Sequence, residues 1–133
     1  MDLLSRFVNR IDFDSYEDFK ENFKIIVPED FNFGFDVVDV YAKEAPDQEA
    51  LIWCDDDGNE RHFTFKDISE KSNRVANMLL DRGITKGDRV AILMFNCLEW
   101  LPIYFGILKT GAIAVPFNFR YTANEISYCA DLA

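Results

Sequence analysis

The sequence predicts an α/β fold: a partial parallel sheet with flanking helices, preceded by a β-hairpin and by an N-terminal helical arm. Three observations predict it. Two short runs of continuous apolar character, Arg89–Met94 and Ala112–Phe117, alternate with amphipathic segments that carry helix-start residues. Buried strands separated by helices imply a parallel sheet with right-handed crossovers. Ahead of them, Asp55-Asp56-Asp57-Gly58-Asn59 separates two extended runs, which reads as a hairpin turn. Residues 1–33 follow a different pattern from everything after them.

In chain order, Leu3, Leu4, Phe7, Val8 and Ile11 fall on one helical stripe, and Tyr16, Phe19, Phe23 and Ile26 on a second. Ser15 and Asp18 have capping-box spacing and place a helix start between the stripes. Pro28 to Gly34 reads as a linker, with Phe31 and Phe33 as apolar anchors. The arm and linker are therefore assigned to 1–34 and the α/β part to 35–133. Val37, Val38, Tyr41 and Ala45 share a helix face that Pro46 closes. The hairpin pairs Ala50–Cys54 with Arg61–Thr64. Thr64 and Asp67 start the next helix, which turns Ile68, Val75, Ala76 and Leu79 inward and ends at Gly83 in a left-handed conformation. Asn96 and Glu99 start a helix that runs to Gly111, with Pro102 near its first turn, where a missing N–H costs least. Thr122 and Glu125 cap a last helix. No terminating signal or further strand follows it, so the pattern reads as cut at its C-terminal end.

The chain has 133 residues, about half of them apolar, with thirteen Phe, five Tyr and two Trp. That composition builds a packed core rather than a disordered segment. No apolar run is long enough for a transmembrane helix, and no leader pattern opens the sequence, so a cytoplasmic location is expected. The formal net charge is −10. Residues 1–50 carry thirteen acidic and five basic side chains, a net of −8; residues 51–133 carry eleven and nine, a net of −2. Such a chain has no basic footprint for nucleic acid or for an anionic membrane. Cys54, Cys97 and Cys129 are odd in number and far apart, which argues against a disulfide framework. Cys54 and Cys97 are expected as small core residues.

Chemistry-bearing motifs are mostly missing. The glycines at 34, 58, 83, 87, 106 and 111 form neither a dinucleotide fingerprint nor a phosphate loop, and no nucleophile elbow occurs. His62, the sole histidine, is expected as a half-exposed strand residue rather than in a catalytic pair. A calcium-loop register through Asp55, Asp57 and Gly58 would put Trp53 first and Thr64 twelfth, and neither supplies the required carboxylate. No catalytic, cofactor-binding or metal-ligating residue is therefore assigned.

Two segments in order resemble the adenylate-forming superfamily of acyl-CoA synthetases, adenylation domains and luciferases. Phe63-Thr64-Phe65-Lys66-Asp67-Ile68 resembles that family's early motif. Leu108-Lys109-Thr110-Gly111-Ala112-Ile113-Ala114-Val115-Pro116 resembles its second, in which a helix ends at Gly-Ala and a strand at Val-Pro. Between them lie Gly83-Ile84, Gly87-Asp88-Arg89-Val90, Asn96 and Glu99, and after them Thr122 to Tyr128, all at the family's spacing. The arm segments Ser15–Phe19 and Val27–Phe33 are similar to those of medium-chain acyl-CoA synthetases. The resemblance implies an acid–thiol ligase that binds Mg-ATP, a carboxylic acid and coenzyme A and makes acyl-CoA, AMP and pyrophosphate through an acyl-adenylate. It implies a medium-chain or branched acid, with an aromatic acid as runner-up. Its phosphate loop, magnesium-binding glutamate, ribose-binding aspartate and catalytic lysine match nothing here and would lie beyond Ala133. The 133 residues are then an N-terminal structural piece, inactive alone, with no cofactor bound and an exposed edge that favours a homo-oligomer. Two alternatives stand beside this reading: a self-contained interaction module, or the N-terminal part of another adenylate-forming enzyme such as a peptide-synthetase adenylation domain.

Overall fold

The computed structural model describes residues 4–133, which divide into two compact units, one ending at Phe31 and one running from Asn32 to Ala133. In the first unit, Ser15 caps helix α1 (Tyr16–Asn22) by accepting a hydrogen bond from the Asp18 amide at 3.1 Å. The Asp18 carboxylate does not return to Ser15; it takes the Asp14 amide and the guanidinium of Arg10. Phe19 and Phe23 stack, and Phe13 meets both edge-on.

The first apolar stripe does not form a helix. A single 3₁₀ turn at Leu4–Arg6 is followed by an antiparallel bridge between Val8 and Ile25. The Phe7 carbonyl accepts from the Ile26 amide at 2.8 Å, and Asn9 binds the Lys24 amide and the Asn22 carbonyl through its side chain. Side-chain bonds of this kind offer the backbone an alternative to the helix ladder. Ile26 accordingly lies outside the helical stripe predicted for it, and Leu3 lies outside the described residues.

The second unit opens with a π-helix, Gly34–Asp39, continuing as α2 (Val40–Glu44) up to the Ala45-Pro46 break. Strands β1 (Glu49–Cys54) and β2 (Glu60–Thr64) form the expected antiparallel hairpin. Its turn is organised by the Asp55 carboxylate, which accepts from the amides of Asp57 and Asn59. Leu51 and Trp53 face inward while Ile52 and Cys54 face solvent. Cys54 is thus not a core residue: strand alternation puts it on the outer face, whatever its apolar character.

Helix α3 (Phe65–Asp81) starts in a complete capping box. Thr64 Oγ1 accepts from the Asp67 amide at 3.2 Å, and Asp67 Oδ2 accepts from the Thr64 amide at 2.9 Å. It ends in a Schellman motif: the Ile84 amide donates to Leu79, the Gly83 amide to Leu80, and Gly83 takes φ +85°. Strand β3 (Arg89–Leu93), helix α4 (Trp100–Lys109) and strand β4 (Ile113–Phe117) then make the parallel β-α-β unit, with Ala91 opposite Val115. Ile92, Ile107 and Ala112 form its buried centre, with Leu79, Ile84, Val90 and Trp100 packed around them. The predicted Asn96/Glu99 cap is not made. Turns at 95–100 bring the chain into a helix that begins at Trp100, and Glu99 gives no side-chain cap bond. Pro102 falls in the first turn as expected, where its missing N–H costs little. Helix α5 (Ala123–Leu132) starts in a second full capping box, Thr122 with Glu125, but buries none of its residues.

Candidate functional site

The segments singled out in the sequence converge on one scaffold. Asp88 accepts from the Thr85 amide and hydroxyl, closing the turn before β3. The Gly87 amide donates to the Gly111 carbonyl, and the Ile113 amide to the Asp88 carbonyl at 2.7 Å. The Gly-x-x-x-Gly-Asp-Arg-Val lead and the Thr-Gly-Ala lead are therefore pinned to each other, and the two strands leave the same level in register. Gly111 sits at φ +77° with Lys86 packed over it, a place that only glycine fills without strain. The helices also approach closely. A Cβ on Gly106 would lie 2.6 Å from that of Val75 and 2.9 Å from the Ser72 carbonyl oxygen.

Behind this frame lies a buried polar centre that sequence reasoning did not single out. The Lys109 side chain is 1 % exposed, and its Nζ donates to Asp39 Oδ1 at 2.6 Å and Asn73 Oδ1 at 2.7 Å. The Ser69 hydroxyl donates to the same Asp39 oxygen at 2.6 Å, and the ammonium lies over the Phe35 ring. Asn32 donates to the Leu108 carbonyl at 2.6 Å while its Oδ1 accepts from the Gly34 amide. A buried charge needs such partners. Two elements supply them to the α4 lysine: the π-helix, through Asp39, and α3, through Asn73. The available signal was a lysine on the same face as Pro102, Gly106 and Ile107 of an otherwise apolar helix.

Two further side-chain groups are surface features. His62 Nδ1 pairs with Glu49, and its Nε2 is 3.5 Å from Glu60. The hydrogen bond that the ring donates to Glu49 is the main cause that raises the imidazole's pKa above its ordinary 6.5, with Glu60 adding to it. Asp67, Asp88 and Glu125 are all held below the usual carboxylate range, chiefly by the amide of the threonine each one caps.

Gly58, Gly83 and Gly87 have positive φ, and a Cβ at any of them would meet no protein atom within 4 Å. Among the described residues, no group of three or more His, Cys, Asp or Glu side chains could hold a metal ion. Lys109, a deeply buried cation, is committed to Asp39 and Asn73. Among the described residues no helix is long and apolar enough to cross a membrane.

A family model described as AMP-binding enzyme matches residues 38–133. The human protein "Acyl-coenzyme A synthetase ACSM3, mitochondrial" is 31 % identical over 122 residues, which is 87 % of this chain and 21 % of that protein. The crotonobetaine/carnitine–CoA ligase of Salmonella paratyphi A is 40 % identical over 93 residues, 70 % of this chain and 17 % of the ligase. The crystal structure of the N-terminal domain of FACL13 from Mycobacterium tuberculosis superposes with a TM-score of 0.65 at 34 % identity, covering 74 % of this chain and 24 % of that one. The chain thus spans about a fifth of the length of the curated relatives it matches.

Proposed function

The chain belongs to the AMP-binding enzyme family, and from that premise we propose that its parent protein is an ATP-dependent acyl-CoA synthetase. The reaction joins a carboxylic acid to coenzyme A through an acyl-adenylate, with AMP and pyrophosphate released and Mg-ATP as the activating cosubstrate. The observation that supports this best is the pinned pair of motif segments. The Thr85–Asp88 turn and the Thr110-Gly111-Ala112 lead hold one parallel β-α-β unit, and the Thr64–Asp67 capping box starts the helix that precedes it, in the order the sequence resemblance anticipated.

Residues 1–133 are read as scaffold, with residues 1–34 as an N-terminal arm and linker ahead of an α/β subdomain at 35–133. No catalytic, cofactor-binding or metal-binding role is given to any of them. ATP, magnesium and coenzyme A would be bound by parts of the parent that these residues do not include. A medium-chain or branched fatty acid is the proposed substrate, and an aromatic acid the alternative. A cytoplasmic site of action is part of the same reading, as is self-association of this chain through the open edge of its parallel pair, without nucleic acid or membrane as a partner. The coding sequence that continues residue 133 tests the proposal. A Ser/Thr/Gly-rich stretch followed by Pro-Lys is expected there, and a reading frame without one would remove the ligase assignment.

A further inference from the structure

The π-helix Gly34–Asp39 meets one and the same side chain at both of its ends. Gly34 is buried, and a Cβ on it would lie 2.8 Å from Lys109 Cγ and 3.2 Å from Lys109 Cε. Asp39, five residues later, accepts from the Nζ of that lysine at 2.6 Å. In an α-helix of 3.6 residues per turn, positions five apart point roughly 140° away from each other and cannot both face one side chain. In the π register each bond closes five residues on, and the same two positions stand one above the other. The Lys109 side chain therefore spans one π turn, with its stem against Gly34 and its ammonium on Asp39.

Both ends of that turn are tied to neighbouring residues of α4. The Leu108 carbonyl accepts from Asn32 Nδ2 at 2.6 Å, and Asn32 Oδ1 accepts from the Gly34 amide at 3.0 Å. Asp36 Oδ2 in turn accepts from the Asn32 amide at 2.7 Å. At the far end, the Ser69 hydroxyl and Asn73 of α3 fix Asp39 and the ammonium in place. Leu108 thus grips the entry to the π-helix and Lys109 its exit. Nothing in Gly34-Phe35-Asp36-Val37-Val38-Asp39 bars the commoner α register, since the segment holds no proline. The two registers are discrete. Passing from π to α rotates the residues on the N-terminal side by about 100° around the helix axis. That rotation carries Gly34 off the lysine stem and parts Phe33 from Phe105, on which it stacks at 5.6 Å.

We propose that Lys109 is a register lock, whose stem and ammonium together hold residues 34–39 in the π register against the α register. Gly34 gives the stem room to lie flat, and Asp39 anchors its end. Long-range HNCO spectra of the isotopically labelled chain show which carbonyl each amide bonds, through the scalar coupling across the hydrogen bond. In the native chain the Asp39 amide is expected to couple to the Gly34 carbonyl. In Lys109→Met, which loses the ammonium, the coupling is expected to move to the Phe35 carbonyl, and the Phe33–Phe105 ring contacts in NOE spectra should disappear. Gly34→Ala leaves the ammonium in place but presses a methyl into the stem, and it is expected to move the coupling in the same way. It decides the matter alone if Lys109→Met does not fold. The exposed Lys43→Met should leave the native coupling unchanged. A coupling that stays on the carbonyl of position 34 in either folded variant would overturn the lock, because the register would then be set elsewhere. A native Asp39 amide coupled to Phe35 would overturn it as well.

Discussion

Replacing Lys109 by Met removes a deeply buried ammonium while keeping most of its aliphatic stem. In the native chain Nζ makes two charge-assisted bonds, at 2.6 Å to Asp39 and 2.7 Å to Asn73. Breaking a buried ion pair by removing one partner costs about 3–5 kcal/mol. Here the Asp39 side chain is 28 % exposed and keeps the Ser69 hydroxyl, so part of its charge stays solvated and the lower end applies, about 3 kcal/mol. Urea unfolding followed by Trp fluorescence reads this directly, since Trp100 packs against the buried centre of the β-α-β unit. For a slope of roughly 1–3 kcal/mol per molar urea the midpoint should fall by about 1–3 M with the slope unchanged. The Asp39→Asn single variant and the double variant complete a cycle whose coupling should exceed about 1 kcal/mol. The exposed Lys43→Met is the control. If Lys109→Met and Lys43→Met both fall within about 0.5 kcal/mol of the native chain, the polar centre does not hold the π-helix, α3 and α4 together.

The remaining expectations concern packing, caps and pH. Gly106→Ala drives a methyl into Val75 and the Ser72 carbonyl, so it should cost about 1–3 kcal/mol or more by urea midpoint. Thr64→Ala removes an N-cap and should cost about 1 kcal/mol. Thr122→Ala should act mainly on local opening of α5, read by amide hydrogen exchange, because that helix buries no residue. His62 is raised by Glu49, so its stabilising contribution is complete below its ordinary 6.5 and is lost as pH rises through the raised value. An NMR titration should move back toward 6.5 in Glu49→Gln. Asp67 is depressed by the Thr64 amide, so its contribution is present above its ordinary 3.8 and disappears as pH falls through the lowered value. Thr64→Ala should flatten that acid limb.

The parallel unit was legible because its signals are local. Thr64 with Asp67, Thr122 with Glu125, and Gly83 and Gly111 each act on backbone within three or four residues, and the apolar runs at 89–94 and 112–117 have one economical use. The arm was less legible. Its first stripe has helical spacing, but Asn9 and the 24–26 segment compete for the same backbone, and that contact is not written in periodicity. Cys54 was misplaced because an apolar run hides which side of a strand faces out. Asn96 and Glu99 have cap spacing, yet the turns at 95–100 delay the helix to Trp100. The Lys109 centre joins residues seventy positions apart, a separation at which local pattern carries no information.

The central claim is that residues 1–133 are scaffold and that the adenylating chemistry belongs to the rest of the parent. Isotope exchange of pyrophosphate into ATP, run side by side on the full-length parent and on residues 1–133, tests it most directly, with calorimetry of Mg-ATP binding to the shorter chain. Acid-dependent exchange is expected from the parent with a medium-chain, branched or aromatic acid, together with no exchange and no saturable ATP binding from residues 1–133. Saturable binding of ATP at micromolar concentration by residues 1–133, or a parent that exchanges with no acid, would contradict it.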